Sequence, residues 1–283
     1  MNFDSLKSDG FSVIKKCGLP LITDNRFSSY GVLHGFTTRH GGVSQGEFSS
    51  LNLAYSDDRP DPPTNINTNF NILIGALATP PELAVRTNQT HSDNIIADAP
   101  CGTGFILPQF STGVDGLVSH TDGQLIIARM ADCLPILLYD IKNHAVGAVH
   151  SGWKGTIQSI GAKAVDMMCD IYNSKKSDIL VSFGPSIGAC CYEVGEEFRK
   201  NFIDEFGTVI NEAFEIRQNK LFADMRKINR AVMLRCGIPN DNIAVYEPCT
   251  CCTPEHFYSY RRQKNNRGTM VAVIKCNLGE KYD

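Results

Sequence analysis

The chain alternates between short, almost wholly apolar runs and longer stretches in which apolar residues recur every three or four positions. Thr64 to Leu77 has the helical spacing, with Ile66, Phe70, Leu73 and Leu77 on one face. The middle of the chain is strand-like. Leu83 to Arg86, Gly116 to Val118, Gln124 to Ala128, Ile136 to Tyr139 and Val146 to His150 are short apolar runs, most of them closed by Gly, Pro or Asp. The period then turns helical. Ile157, Ile160, Ala164, Val165, Met168 and Ile171 predict one helix over 156–172. Ile179 to Phe183 and Ile243 to Tyr246 read as strands. Two amphipathic helices are predicted near Glu196–Phe206 and Met225–Cys236, the second stopped by Gly237-Ile238-Pro239. The end reads as a hairpin: Phe257 to Arg261, a polar turn around Asn265-Asn266, then Met270 to Ile274.

Strands and helices interleave without the strict alternation of a doubly wound sheet. The pattern predicts an α/β fold, a layered single domain over 1–283 with mixed β-sheets flanked by helices. The Pro-rich patch Arg59-Pro60-Asp61-Pro62-Pro63 reads as a loop within that domain, because periodic segments flank it closely.

Composition narrows the functional classes. Apolar residues at 42% and charged residues at 20% are ordinary for a globular chain that buries a sizeable core. A net charge of −3 gives no electrostatic case for nucleic acid or an anionic membrane. No apolar run reaches the roughly 18 residues of a membrane span, and the first residues lack a secretory pattern. The expectation is a cytoplasmic protein, monomer or homodimer. Eleven cysteines, an odd number without an export signal, argue against a disulfide framework. In that setting the sequon Asn88-Gln89-Thr90 carries no glycan.

Three phrases carry the candidate chemistry: Gln89-Thr90-His91, Ala131-Asp132-Cys133 and His150-Ser151-Gly152-Trp153-Lys154-Gly155. Two imidazoles and a thiol make a zinc ligand set with a vacant fourth position, and copper accepts the same donors. His91 and His150 follow or end strand-like runs, and Cys133 lies between two of them, where side chains can converge on a cleft. A helix starting near Lys154–Thr156 aims free N–H groups at the same place, which suits an anion. Cys249-Thr250-Cys251-Cys252 holds a CxxC, but a structural zinc site needs a second pair. Gly184-Pro185-Ser186-Ile187-Gly188 matches a nucleophile elbow, yet Pro185 and the lack of a following helix favour an ordinary loop.

These phrases, in order with others, resemble the multicopper polyphenol oxidase (laccase-like) family, also described as purine nucleoside phosphorylase-like enzymes and, in bacteria, peptidoglycan editing factors. The resemblance runs from about His34 to Ile274. It includes Phe36-Thr37-Thr38-Arg39-His40-Gly41-Gly42-Val43-Ser44, Ser50-Leu51-Asn52-Leu53, Asp115-Gly116 and Ala131-Asp132-Cys133-Leu134-Pro135. It continues through the Trp153 phrase, the Gly184 loop with Cys191-Tyr192-Glu193-Val194-Gly195, and Cys249-Thr250 with Phe257-Tyr258-Ser259-Tyr260-Arg261-Arg262. The family's ligands carry over to His91, Cys133 and His150. Ser92, Ser151 and Lys154 depart from the residues common there.

The resemblance implies phosphorolysis of adenosine, inosine, guanosine and methylthioadenosine, together with deamination of adenosine. For deamination, zinc lowers the pKa of water toward about 7 and so makes a nucleophile for C6 of adenine. Asp132 is the carboxylate placed to shuttle protons, with a turn-forming role as its plainer reading. Phosphate needs cations, and Arg39 beside Gly41 and Gly42 is a candidate. Strand alternation would send one of Arg261 and Arg262 to the site. Trp153 reads as core. Three rival readings stay open: a copper-dependent polyphenol oxidase, a cysteine hydrolase or transamidase using Cys133, and a non-enzymatic interaction module in cell-wall synthesis.

Overall fold

The structure, a computed structural model, describes residues 3–54, 61–101, 110 and 112–279. Residues 59 and 60 of the predicted Pro-rich loop lie outside these. Among the described residues two six-stranded sheets and one three-stranded sheet form. In spatial order the first large sheet holds Phe11–Lys16, Leu19–Asp24, His34–Thr37, Met270–Lys275, Leu125–Met130 and Ala84–Arg86. Only its last pair is parallel. The second holds Ile243–Val245, Ile179–Phe183, Leu134–Asp140, Val146–Ser151, Gly116–Ser119 and Ile95–Ala97. Its outermost pairs are parallel and its inner ones antiparallel.

Alternating side chains build four layers. Ile126, Ala128 and Met130 of the first sheet pack with Leu117, Leu137 and Ala148 of the second in one core. The opposite face of the first sheet, with Leu125 and Ile127, takes Ile66, Phe70 and Leu73 of helix Pro63–Ala76. The opposite face of the second, with Ile136, Leu138 and Val149, takes Ile160, Ala164, Val165 and Met168 of helix Ile160–Tyr172 and Met233 of helix Met225–Cys236. Both sheets are therefore covered on both sides, which is why their strands read as continuous apolar runs. Each buried Leu or Ile contributes about 1.5–3 kcal/mol, so truncating one takes a large share of a net stability of about 5–15 kcal/mol.

One sheet edge gathers the chemistry. Leu134–Asp140 and Val146–Ser151 run antiparallel with Pro135 opposite His150. Gly116–Ser119 lies on the other side with Gly116 opposite Val149. Cys133 and Asp115, each just before its strand, therefore emerge beside His150. The segment joining Ala84–Arg86 of one sheet to Ile95–Ala97 of the other carries His91.

Three local expectations are corrected. The helix predicted over 156–172 is two, Trp153–Ile157 and Ile160–Tyr172, separated by Ser159 in the left-handed region (φ 59°). The first piece serves the sheet edge, whereas the second packs on the sheet face. The C-terminal hairpin does not form. Ser259 instead caps a short helix, Tyr260–Gln263, by accepting from the Arg262 N–H. Met270–Lys275, apolar on both faces, becomes a central strand between His34–Thr37 and Leu125–Met130. Trp153 is not core: it is 41% exposed.

Candidate active site

Asp115 organises the site. Its carboxylate accepts from the backbone N–H groups of Thr90 (3.0 Å), His91 (3.1 Å) and Ser92 (2.8 Å), and from the Ser92 hydroxyl (2.7 Å). The turn wraps around this buried anion and holds His91 in the left-handed region (φ 61°), a conformation that bulky side chains adopt only when surroundings impose it. The same carboxylate accepts from His150 Nδ1 at 2.8 Å. That bond keeps a proton on Nδ1, so Nε2 is the nitrogen that would face a metal once its own proton is released. One carboxylate thus orients the His150 ring directly and fixes the backbone turn that carries His91. Ser92, a departure from the family pattern, adds a hydrogen bond rather than disturbing the turn.

The donor atoms of His91, Cys133 and His150 lie within 4.8 Å of one another, with Cys133 Sγ 3.8 Å from His91 Nε2. The two rings meet nearly edge to face, 4.9 Å between centroids at 82°. Tetrahedral zinc with sulfur and nitrogen ligands separates such donors by about 3.5 Å, so the residues fit a metal. Gly152 is required beside them. A β-carbon there would sit 2.8 Å from His91 Cδ2 and 3.4 Å from both Cys133 Sγ and His150 Cε1.

Electrostatics favour the Cys133 thiolate and hold His150 as an imidazolium, whose Nε2 proton a bound metal would displace. Burial opposes ionisation of the Cys133 thiol, but the charge of His150 and hydrogen bonds from both histidines outweigh it, bringing the thiol down from 9.0 to about 6. Burial likewise opposes charge on His150, yet Cys133 and Asp115 push it up to about 9. Asp115 is held at about 2, since His150 and Ser92 overcome its burial. Without metal, the three groups form a chain of alternating charge.

A pocket of about 550 Å³ opens over His91 and Cys133. Its walls include Trp153, Tyr192 and Tyr260, with Arg261, Lys264 and Arg267 at one side. Burial pushes the Tyr192 phenol up to about 12, so it remains a neutral O–H donor.

The other predicted residues are placed unequally. Arg261 reaches the pocket, its guanidinium 5.1 Å from the Tyr192 ring centroid and bonded to the Glu193 carbonyl. Asp132 lines it too, in a left-handed conformation (φ 88°), but its carboxylate accepts from the Thr250 and Ser259 hydroxyls (2.6 and 2.9 Å) and the Arg261 N–H (2.6 Å). Those bonds tie loops together. Arg39 and Arg262 are not brought to this pocket. Arg39 bonds the carbonyls of Ser49, Glu47 and Pro254 and lies over the Tyr258 ring. Arg262 bonds those of Thr250, Cys251 and Phe257. In a helix rather than a strand, the two adjacent arginines diverge by helical rotation. Sequence reasoning assigned no role to Asp115, Tyr192, Lys264 or Arg267. An acidic residue directly before an apolar strand run, a position Cys133 also holds, was the available signal for Asp115.

Fold and site together define a four-layer α/β protein with an open His/Cys/His constellation beside a cationic, aromatic pocket. Residues 33–277 match the family model described as multi-copper polyphenol oxidoreductase laccase, and the chain belongs to that family. It is 33% identical to purine nucleoside phosphorylase YlmD of Geobacillus stearothermophilus, over 92% of this chain and 93% of that protein. It is 36% identical to a purine nucleoside phosphorylase of Deinococcus radiodurans, over 91% and 93%. The crystal structure of Bacillus licheniformis protein YfiH superposes with a TM-score of 0.85 at 29% identity, over 95% of this chain and 100% of that one.

Proposed function

We propose that this chain is a zinc-dependent purine nucleoside phosphorylase. The carrying observation is the three-donor constellation, with its open side facing a pocket large enough for a nucleoside and walled by rings and cations. The names of the relatives support the same reading. Adenosine, inosine, guanosine and methylthioadenosine are the proposed substrates.

The reaction joins a phosphate oxygen to C1′ as the C1′–N9 bond breaks. The bond pair leaves with the purine, which takes up a proton, giving free base and ribose 1-phosphate, or the 5-methylthio form of that sugar phosphate from methylthioadenosine. Arg261, Lys264 and Arg267 are placed to hold phosphate, and Trp153 and Tyr192 to hold the flat base. Tyr192, with its proton retained, can donate to the departing purine. His91, Cys133 and His150 would hold the metal, which supplies Lewis acidity when bound. Asp115 fixes the His150 imidazole and the His91 backbone, and Asp132 positions the Arg261 backbone. Neither Arg39 nor Arg262 is assigned to substrate.

Deamination of adenosine is proposed as a second activity of the same pocket, because two His and one Cys with an open position resemble the donor sets of zinc deaminases. Asp132 is the carboxylate lining the pocket. It would have to release one hydrogen bond to move protons, so this activity should be the slower.

One observation favours a cysteine hydrolase as the competing reading: Cys133 and His150 form a thiolate–imidazolium pair when no metal is bound. Chelation separates the two. Products from adenosine and phosphate are followed by chromatography with zinc-loaded, chelated and Cys133→Ser protein. Phosphorolysis confined to the zinc-loaded wild type is expected. Turnover that survives chelation but not Cys133→Ser would point to the thiol chemistry.

A further inference from the structure

The sequence offered one CxxC and no second pair. The fold supplies it. The loop after Gly188 brings Cys190 and Cys191 against Cys249 and Cys252, and the four sulfurs lie within 4.8 Å of one another. Cys190 and Cys191 Sγ are 3.4 and 3.3 Å from Cys252 Sγ. A tetrahedral ZnS₄ centre with bonds near 2.3 Å has sulfur–sulfur edges of about 3.8 Å, so small side-chain rotations convert this cluster into a coordination shell. All four are free cysteines.

Burial and the neighbouring sulfurs push the Cys190 and Cys191 thiols up, so a bound cation must drive their ionisation, whereas at Cys249 donors already surround the sulfur. The Gly188 N–H donates to Cys249 Sγ at 3.1 Å, and the N–H groups of Cys251 and Cys252 also reach that sulfur. This backbone wrap around a ligand sulfur orients the ligand and stabilises its anion. Arg226, paired with Asp224, lies within electrostatic reach of Cys249 and offsets the negative charge that four thiolates bring. Arg217 donates to the Ala189 carbonyl, and Arg261 to that of Cys191. Arg217 and Arg261 thus pin the first loop, and Arg262, bonded to the Thr250 and Cys251 carbonyls, pins the second.

The geometry points to a second metal site, a closed structural zinc centre formed by Cys190, Cys191, Cys249 and Cys252. Four protein ligands leave no position for substrate, so the site staples rather than catalyses. It ties residues 188–192 to residues 249–252. The first loop continues into Tyr192, and the second is bonded by Asp132 and Arg262 through Thr250. The staple therefore holds one wall of the pocket. Binding releases the protons of the ionising thiols and needs no oxidant.

The test is metal content of protein produced with zinc under reducing conditions. Two zinc ions per wild-type chain are expected, one in Cys252→Ser, one in Cys133→Ser and none in the double variant. Cys252→His, which keeps a zinc donor, should regain the second ion. Cys17→Ser, at an exposed cysteine outside both clusters, should keep both. Cobalt(II) added to metal-free Cys133→Ser should give intense thiolate-to-metal charge-transfer absorption. The cobalt spectrum decides even if Cys252→Ser does not fold, because it uses the intact cluster. Wild-type zinc content unaltered by Cys252→Ser, absence of those bands, or a disulfide among the four under these conditions would overturn the site. Metal counting needs no turnover, so its outcome is separate from that of the purine reading.

Discussion

Two groups of soft donors lie within one domain and are built differently. At the sheet edge, His91, Cys133 and His150 offer three donors, and Asp115 holds the His150 ring and the His91 backbone from behind. In the loops beyond, Cys190, Cys191, Cys249 and Cys252 offer four, with backbone N–H groups in place of a carboxylate. The first faces a pocket of about 550 Å³, whereas Cys190 and Cys252 of the second face solvent. Donor number and what stands behind the donors separate a centre that can take substrate from one that can only brace. Mixed His/Cys donors keep the first available to Lewis-acid chemistry, and the second is proposed to hold its neighbouring wall still.

The sharpest way to break this contrast is to remove one donor from the first group. Cys133→Ser should lower phosphorolysis about a thousandfold, because Lewis-acid stabilisation amounts to several kcal/mol. Its metal content should fall by one ion while the four-cysteine cluster stays loaded. Undiminished turnover in steady-state assays would end the distinction.

Asp115→Asn tests the support behind the donors. It should weaken metal binding at the first site by about 10–100-fold, read by competition with a chelator, and leave the second site unchanged. The pH dependence of stability in metal-free protein checks the same group. Asp115 sits at about 2 in the fold against 3.8 ordinarily, so its contribution is present above 3.8 and is lost as pH falls through about 2. His150 is raised from 6.5 to about 9, so its contribution is full below 6.5 and is lost as pH rises through about 9. Denaturant titrations of Asp115→Asn should lack the acid step and show an earlier alkaline one.

Gly152→Ala should weaken first-site metal binding about tenfold, as its methyl group would press His91 Cδ2 from 2.8 Å and crowd Cys133 Sγ. Isothermal titration with zinc reads this, and wild-type affinity would show that the turn yields. In metal-stripped protein, alkylation of Cys133 should rise with pH around a midpoint near 6, the range to which His150 brings the thiol. A midpoint near 9 in a mass-spectrometric time course would remove the ion pair from the account. The smallest effect is at the pocket wall. Trp153→Ala should raise KM roughly two- to tenfold with kcat little changed, since a ring contact contributes about 0.5–1.5 kcal/mol.

Much of this was legible in the chain. Helices Glu196–Phe206 and Met225–Cys236 stand where their periodicity placed them, and Gly237 ends the second in the left-handed region (φ 102°). The three-donor residues could be named because His150 ends one apolar run and Cys133 begins another, and because the phrases around all three resemble the family's ligand motifs. Two hairpins went unread. Phe11–Lys16 with Leu19–Asp24 turns through Cys17-Gly18 (φ 48° and 84°), and Phe214–Arg217 with Lys220–Ala223 turns through Gln218-Asn219 (φ 49° and 60°). Both are two-residue turns with positive φ, but Cys-Gly and Gln-Asn signal such turns far more weakly than Asn-Gly. The C-terminal hairpin failed for the opposite reason. A local pairing looked sufficient, while the apolar faces of Met270–Lys275 called for two distant partners. Nor could the four-cysteine cluster be read, because its two pairs meet only after folding. At the arginines the expected divergence of Arg261 and Arg262 is present, but it comes from helical rotation and not from strand alternation.

The most direct measurement titrates metal-stripped protein with zinc while ribose 1-phosphate is followed from adenosine and phosphate. The account predicts a rate that climbs with occupancy of the His91, Cys133 and His150 site, and no more than about a thousandth of that rate in Cys133→Ser at any zinc concentration. Phosphorolysis by the stripped protein, or by Cys133→Ser at the wild-type rate, would contradict it.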